Sequence, residues 1–257
     1  MGMWYKCLLY VLVSAFGGST VAQHKITMQV IADLENKSLH IEQSINYHNT
    51  SSDVLNKIVL LDWAHAFSDK RSPLGIKFAE LYRNAFHFAS MDKRGATLLE
   101  EAKVSSGFAT FLRRNDTPDI IDVNLIEPLM PGDKIKLQLR YTVLLPDDTF
   151  TRFGVNTELE AQLRYWFIYP ANYANAEWIA YSHKNLDDFP LQNIDYDISI
   201  DLPFYYEVYT ALNQKDSLMF NTKRHFLKGK NRGALELYFS LNNEFRNYQI
   251  NELNIIT

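Results

Sequence analysis

The stretch Lys134-Ile135-Lys136-Leu137-Gln138-Leu139-Arg140-Tyr141-Thr142-Val143-Leu144-Leu145 alternates apolar and polar side chains almost without a break. Successive side chains of an extended strand point to opposite faces, so a period of two predicts a strand with one buried face. The same pattern recurs on both sides of this stretch. Upstream, Ile26, Met28, Val30, Ala32 and Leu34 alternate with mostly polar neighbours. After the turn residues Glu35-Asn36-Lys37 come Leu39, Ile41, Ile45 and Tyr47, so the two runs read as an antiparallel hairpin. Downstream, Ile194, Tyr196, Ile198, Ile200 and Leu202 form another strand, with Asp195, Asp197, Ser199 and Asp201 expected to face water. Gly229-Lys230-Asn231-Arg232-Gly233 reads as a turn leading into Leu235, Leu237, Phe239 and Leu241. Residues 246–256 read as a final strand with Tyr248, Ile250, Leu253 and Ile255 as its apolar positions.

Only one stretch reads as helix. Ser72 is a suitable N-cap, Pro73 fits the first helical position, and Leu74, Phe78, Leu81, Tyr82 and Ala85 share a face. Strands that return at short intervals without helices between them predict an all-β, mostly antiparallel fold with one short helix. The sheets are expected to pack as a sandwich or a curved saddle. No repeat, low-complexity tract or flexible linker divides the chain, so residues 23–257 read as one folded unit.

The first 22 residues read differently. Lys6 precedes an apolar run from Cys7 to Phe16, and Thr20-Val21-Ala22 places small residues where a signal peptidase cuts. The run is about half the roughly 20 residues that a spanning helix needs. The expectation is a signal peptide over residues 1–22, a mature chain that begins at Gln23, and export to the periplasm, the cell envelope or the medium. No later segment is apolar enough to span a membrane. Cys7 is the sole cysteine, so the mature chain has neither disulfide nor thiolate chemistry. The 26 Lys and Arg stand against 30 Asp and Glu, a balance that gives no reason to expect nucleic acid as a partner.

Motifs that carry chemistry are scarce. Two imidazoles one helical turn apart can share a metal, and His-Glu-x-x-His supplies that spacing together with a general base. No histidine of this chain begins such a motif, and there is no Gly-x-Ser-x-Gly elbow, phosphate loop or dinucleotide turn. No catalytic and no metal-ligating residue is therefore assigned. The acidic pairs Glu100-Glu101, Asp147-Asp148 and Asp187-Asp188 read as solvated turn charges, as does the basic run Lys223-Arg224-His225 with Lys228, Lys230 and Arg232. The run Arg164-Tyr165-Trp166-Phe167-Ile168-Tyr169-Pro170, continued by Tyr173, Trp178 and Tyr181, has two readings. It is either a core strand followed by a packed loop, or a set of exposed aromatic faces that stack on a glycan or peptide. On the second reading the candidate ligand or interface residues are Tyr165, Trp166, Tyr169, Asn172, Tyr173 and Trp178.

Three segments resemble a known family. Ile41 to Leu55, with Tyr47-His48-Asn49 before a short Ser and Asp turn, is similar to the opening of the N-terminal domain of aminopeptidase N-like zinc metallopeptidases. Leu125-Ile126-Glu127-Pro128-Leu129-Met130-Pro131-Gly132-Asp133 resembles the turn that precedes that domain's long strand. The aromatic run, followed by Tyr196 to Pro203, looks like a segment of an envelope-exported branch of these peptidases. The resemblance covers the mature chain and only the N-terminal domain of the family. It implies a saddle-shaped β domain that packs against a catalytic metallopeptidase domain, in cis or in trans. Zinc is then expected only in that other domain, with no cofactor in this chain. Many members place a Gln or Glu near the third motif to reach the substrate amino terminus; here Pro170-Ala171-Asn172-Tyr173 offers only Asn172. The closing Leu253-Asn254-Ile255-Ile256-Thr257 reads as the middle of an element, which raises the expectation of a truncated gene product or a separately made remnant. The competing expectations are a free-standing envelope binding module for glycan or peptide, and an enzyme whose site has no recognised pattern.

Overall fold

A computed structural model describes residues 24–185, 193–233, 235–241, 247–250 and 253–256. The expected signal peptide, residues 1–22, and Asp187-Asp188 lie outside the described residues. The strands run, in chain order, β1 (His24–Asp33), β2 (Ser38–His48), β3 (Leu55–Leu61), β4 (Ala96–Val104), β5 (Ala109–Arg113), β6 (Ile120–Leu129) and β7 (Lys134–Leu144). Short strands follow: β8 (Gly154–Val155), β9 (Ala161–Arg164), β10 (Tyr169–Pro170), β11 (Asn172–Ala174) and β12 (Glu177–Ile179). The last third holds β13 (Ile194–Pro203), β14 (Glu207–Tyr209), β15 (Asn213–Leu218), β16 (Thr222–Arg232), β17 (Glu236–Ser240), β18 (Asn247–Ile250) and β19 (Leu253–Ile256). The fold is all-β.

The largest sheet has seven strands in the order β15-β16-β13-β1-β2-β7-β4. Every pairing in it is antiparallel except β1 with β13, which run parallel. The alternation read from the sequence sets its register. Ile26, Met28 and Val30 of β1, Ile41 and Ile45 of β2, Leu137, Leu139 and Tyr141 of β7, and Ile198 and Ile200 of β13 all point to one buried face. A four-stranded sheet, β10-β3-β6-β5, supplies Ile58, Leu60, Ile121 and Val123 to the same core, and a second, β14-β17-β9-β8, supplies Leu163, Leu237 and Phe239. A sheet buried on one face and solvated on the other accounts for the strict alternation.

Helix α1 (Pro73–Glu80) starts at Ser72, whose Oγ accepts from the Gly75 amide at 3.1 Å and donates to the Ala66 carbonyl at 2.6 Å. It is shorter than the sequence pattern predicts. Leu81 and Tyr82 fall beyond its end, Tyr82 at a positive φ of 57°, and both are exposed rather than part of the buried face.

Four further expectations need correction. Gly229 to Arg232 is not a turn but the end of β16, bent where the register with β13 shifts between Ile194 and Tyr196. Gly229 serves close packing there, since a Cβ would stand 2.5 Å from Leu212 Cδ2, and Asp195 Oδ1 accepts from the Asn231 amide at 2.9 Å. The basic run is likewise no solvated turn. Arg224 donates twice to Asp201 at 2.6 Å, Lys228 reaches Asp197 at 3.5 Å, Lys223 pairs with Glu207, and His225 is buried. Glu100 and Glu101 lie on β4, where a bulge at Leu99/Glu101 lets both carboxylates reach Arg140, at 3.4 and 3.3 Å. An unbulged strand would have sent them to opposite faces. Finally, residues 247–256 form two strands, since β18 and β19 pair antiparallel with Ile250 opposite Leu253. The polar Asn251-Glu252 step separates them in the sequence.

Candidate functional site

The aromatic run lies between the two halves of the core. Tyr165, Trp166, Phe167, Ile168 and Tyr169 are all buried. Strand β10 pairs with β3, placing Tyr169 opposite Leu61, and the Ala171 amide donates to the Val59 carbonyl at 2.8 Å. From the other side the large sheet grips Ile168. Tyr141 Oη donates to Gln43 Oε1 at 2.6 Å, Gln43 Nε2 donates to the Ile168 carbonyl at 2.6 Å, and the Ile168 amide donates to Tyr141 Oη at 3.2 Å. This closed ring satisfies a buried amide, a buried phenol and a backbone unit that would otherwise interrupt the core. Tyr165, Trp166 and Tyr169 therefore have no face free to stack on a ligand, and the stacking-surface expectation fails at all three.

The remaining candidates sit on a two-stranded hairpin, β11-β12, at the surface. Tyr173 faces Trp178 across it, with ring centroids 5.1 Å apart, and both are half-buried. Tyr173 Oη donates to Asp53 Oδ2 at 3.0 Å. Trp178 leans on Tyr47, which stacks on His24 at 4.4 Å. Asn172 opens this hairpin opposite Ile179, half-buried like its two neighbours in the candidate set.

A polar cluster that no sequence motif announces joins the end of β3 to β4, β5 and the 181–183 segment. Asp62, at the end of β3, is fully buried; its carboxylate accepts from Thr97 Oγ1 at 2.7 Å and from Arg113 Nη2 at 2.5 Å. The Asp62 amide donates to the Asp119 carbonyl at 2.8 Å. The Asp119 carboxylate accepts from Ser182 Oγ and from the His183 amide, each at 2.6 Å. Trp63 stacks on the His183 ring at 4.6 Å and donates from Nε1 to the Tyr181 carbonyl at 3.0 Å. Burial raises the Asp119 carboxyl to about 6, and burial lowers the His183 imidazole to about 3. Burial, then the nearby Arg113, lowers His65 as well.

These groups are spread over a hydrogen-bonded network and are not gathered around a common point. Among the described residues no three His, Cys, Asp or Glu side chains converge as a metal-ligand set. Asp62 and Asp119 spend their oxygens on Arg, Thr, Ser and backbone donors, and His65 Nδ1 contacts the Thr97 backbone at 3.1 Å. The side chains do not fit a zinc ion. What the network does is fix the 181–183 segment to the end of β3 and the start of β6.

The chain is similar to the crystal structure of an M1 zinc metallopeptidase point mutant from Deinococcus radiodurans, with a TM-score of 0.52 and 13% identity over 92% of this chain and 46% of that one. A structure described as a two-domain M1 zinc metallopeptidase bound to L-arginine matches with a TM-score of 0.51 and 13% identity over the same shares. The chain thus spans about half the length of the peptidase structures it matches. No protein-family model and no curated protein sequence matches the chain. The fold shared with M1 zinc metallopeptidases agrees with the family that the sequence segments resemble.

Proposed function

We propose that this chain is the non-catalytic N-terminal β domain of an aminopeptidase-like zinc metallopeptidase, exported, and that it packs against a zinc-bearing catalytic domain and shapes its substrate cleft. The observation that carries the reading is the extent of the fold match: 92% of this chain against 46% of the peptidase. The surface supports it. Ile76, Leu81, Tyr82, Phe88 and Met91 are exposed along residues 76–91, which run from helix α1 into the two short helical turns that follow it, Tyr82 to 87% and Phe88 to 85%. Large apolar side chains gathered in this way mark a face that another protein covers. Zinc belongs to the catalytic partner, where it supplies a Lewis acid and an activated water. The chain offers that partner a rigid β wall, with the β11-β12 hairpin and the Asp119-held segment at one end.

The test uses residues 23–257, mixed with a separately purified M1 catalytic domain. A one-to-one complex at micromolar concentration is expected, weakened by Tyr82→Ser with Phe88→Ser, while the isolated chain binds no stoichiometric zinc and cleaves no aminoacyl reporter. About one zinc per chain with chelator-sensitive activity overturns the non-catalytic reading. A soluble monomer that ignores the catalytic domain overturns the packing role. Intact-mass measurement of exported material checks the start at Gln23.

A further inference from the structure

The solvated face of the seven-stranded sheet is not flat. Between β1, β2, β7 and β4 it dips into a trough of about 360 Å³. Two rows of side chains cross it at right angles to the strands, placed by the register. One row runs Thr27, Ser44, Gln138, Lys103; the other runs Gln29, Glu42, Arg140, Glu101. Four strands about 4.8 Å apart give the rows a length of about 14 Å.

Three features of this trough limit what it can hold. First, β1, β2 and β7 are interior strands, so their backbone donors and acceptors are consumed by neighbours. An extended peptide, which needs a free sheet edge, can pair with none of these three strands; the edge strand β4 only closes the trough at one end. A ligand here meets side chains alone. Second, the charges cancel. Glu42 and Glu101 balance Arg140 and Lys103, Lys103 donates to Glu101 at 2.8 Å, and Arg140 lies between the two carboxylates that the β4 bulge brings to it. A polyanion or a cation gains no net attraction. Third, the hydroxyl and amide groups are unspent. Ser44 Oγ is buried at the trough floor with no hydrogen-bond partner among the described residues. A buried hydroxyl without a partner is costly, and a donor or acceptor from solvent or a ligand relieves that cost.

We infer that this trough is a binding site for a neutral oligosaccharide, laid across the strands, with Ser44, Gln138, Gln29 and Glu42 as its hydrogen-bonding groups. Amide and carboxylate side chains match a ligand whose surface is a series of hydroxyls, each able to donate and accept. Arg140 and Lys103 are held by Glu101 in advance, so little side-chain freedom is lost when a ligand arrives. The inference stands apart from the peptidase reading, because it concerns the solvated face of the large sheet and not the apolar helical segment.

The experiment titrates the folded chain with cellohexaose, maltohexaose, laminarihexaose and chitohexaose by calorimetry, with a heparin oligosaccharide and an extended polar peptide as comparisons. Saturable binding of at least one neutral hexasaccharide is expected. Glu42→Ala and Gln138→Ala should each weaken it by about tenfold, and Lys230→Ala, outside the trough, should leave it unchanged. All three positions face solvent or line the trough, and melting curves verify that each variant is folded. Ser44→Ala, which removes one oxygen, serves where a larger truncation perturbs the sheet. Absence of binding by every neutral sugar at millimolar concentration overturns the inference. So does binding that survives both trough variants, or a preference for heparin or for the peptide.

Discussion

The Asp119 carboxylate accepts the His183 backbone amide at 2.6 Å, so one buried acid holds a segment that follows 64 residues later in the chain. Its partner in the same grip is Ser182 Oγ. Burial leaves this carboxyl titrating near 6, above its ordinary value of 3.8, while the His183 ring stays neutral down to about 3.

The two groups act on stability with opposite signs. Asp119 binds its proton more tightly in the folded state, so its contribution is fully present below its unfolded value and is lost as pH rises through about 6. His183 binds its proton more weakly when folded, so its contribution is present above its unfolded value and is lost as pH falls toward about 3. Between pH 4 and 6 the two oppose one another. Replacing Asp119 with Asn removes one side of the balance. Relative to the variant, the wild-type protein should gain about 2 kcal/mol on going from pH 7 to pH 4.5. Urea unfolding of both proteins at the two pH values measures the difference, and equal changes in the two would refute the assignment.

The ring formed by Gln43, Tyr141 and Ile168 predicts a large effect from a substitution that changes little volume. Gln43→Leu leaves the Tyr141 hydroxyl and the Ile168 carbonyl buried without their partner. Each orphaned group costs about 1–3 kcal/mol, so a loss of about 3 kcal/mol is expected. A urea midpoint that barely moves, with an unchanged slope, would mean that the aromatic run is held by apolar contact alone.

Helix α1 gives a case where two rules disagree about sign. Gly75 lies within the helix, and by helix propensity Gly75→Ala should stabilise by about 0.5–1 kcal/mol. The added Cβ would stand 2.3 Å from the Lys70 carbonyl oxygen, which belongs to backbone and not to a yielding side chain. Overpacking of this kind costs about 1–3 kcal/mol, so the clash wins and Gly75→Ala should lower the melting temperature. A higher melting temperature would show that the turn before the helix gives way.

The long strands were legible because their physics is local. A sheet with one wet face imposes a period of two, which β1 and β13 carry throughout and β2 and β7 over most of their length. The Ser72 cap and the turn at Pro131-Gly132, with Gly132 at a φ of 84°, are also local and were readable. What sequence could not reveal depends on pairing. The bulge that turns Glu100 and Glu101 toward one arginine exists only against β7. The acids of β13 and the bases of β16 look solvated until the register sets Asp201 opposite Arg224 and Asp197 opposite Lys228. Asp62 and Asp119 carry no motif; an isolated acid after an apolar run, as in Leu60-Leu61-Asp62, is the only signal that preceded them. The aromatic run shows the limit most clearly, since core and stacking surface use the same residues and only three-dimensional packing separates them.

The β11-β12 hairpin yields the last prediction. Ala174 pairs with Glu177, leaving a two-residue loop of Asn175 and Ala176, both at positive φ, 53° and 62°. Positive φ at both central positions defines the type I′ turn, whose twist suits a two-residue hairpin and whose usual sequence is Asn-Gly. Asn tolerates the left-handed region because its side chain hydrogen-bonds locally, but the Ala methyl crowds the following carbonyl. Ala176→Gly should relieve that crowding and stabilise by about 1 kcal/mol, which raises the melting temperature by about 2–4 °C in a domain of this size. Asn175→Gly should do little, because Asn already fits its position. The hairpin carries Tyr173 and Trp178, so Ala176→Gly should also leave the Tyr173 bond to Asp53 in place. Tryptophan fluorescence and thermal unfolding, read side by side, check both parts. If Ala176→Gly melts at or below the wild-type temperature, the turn does not have the conformation described.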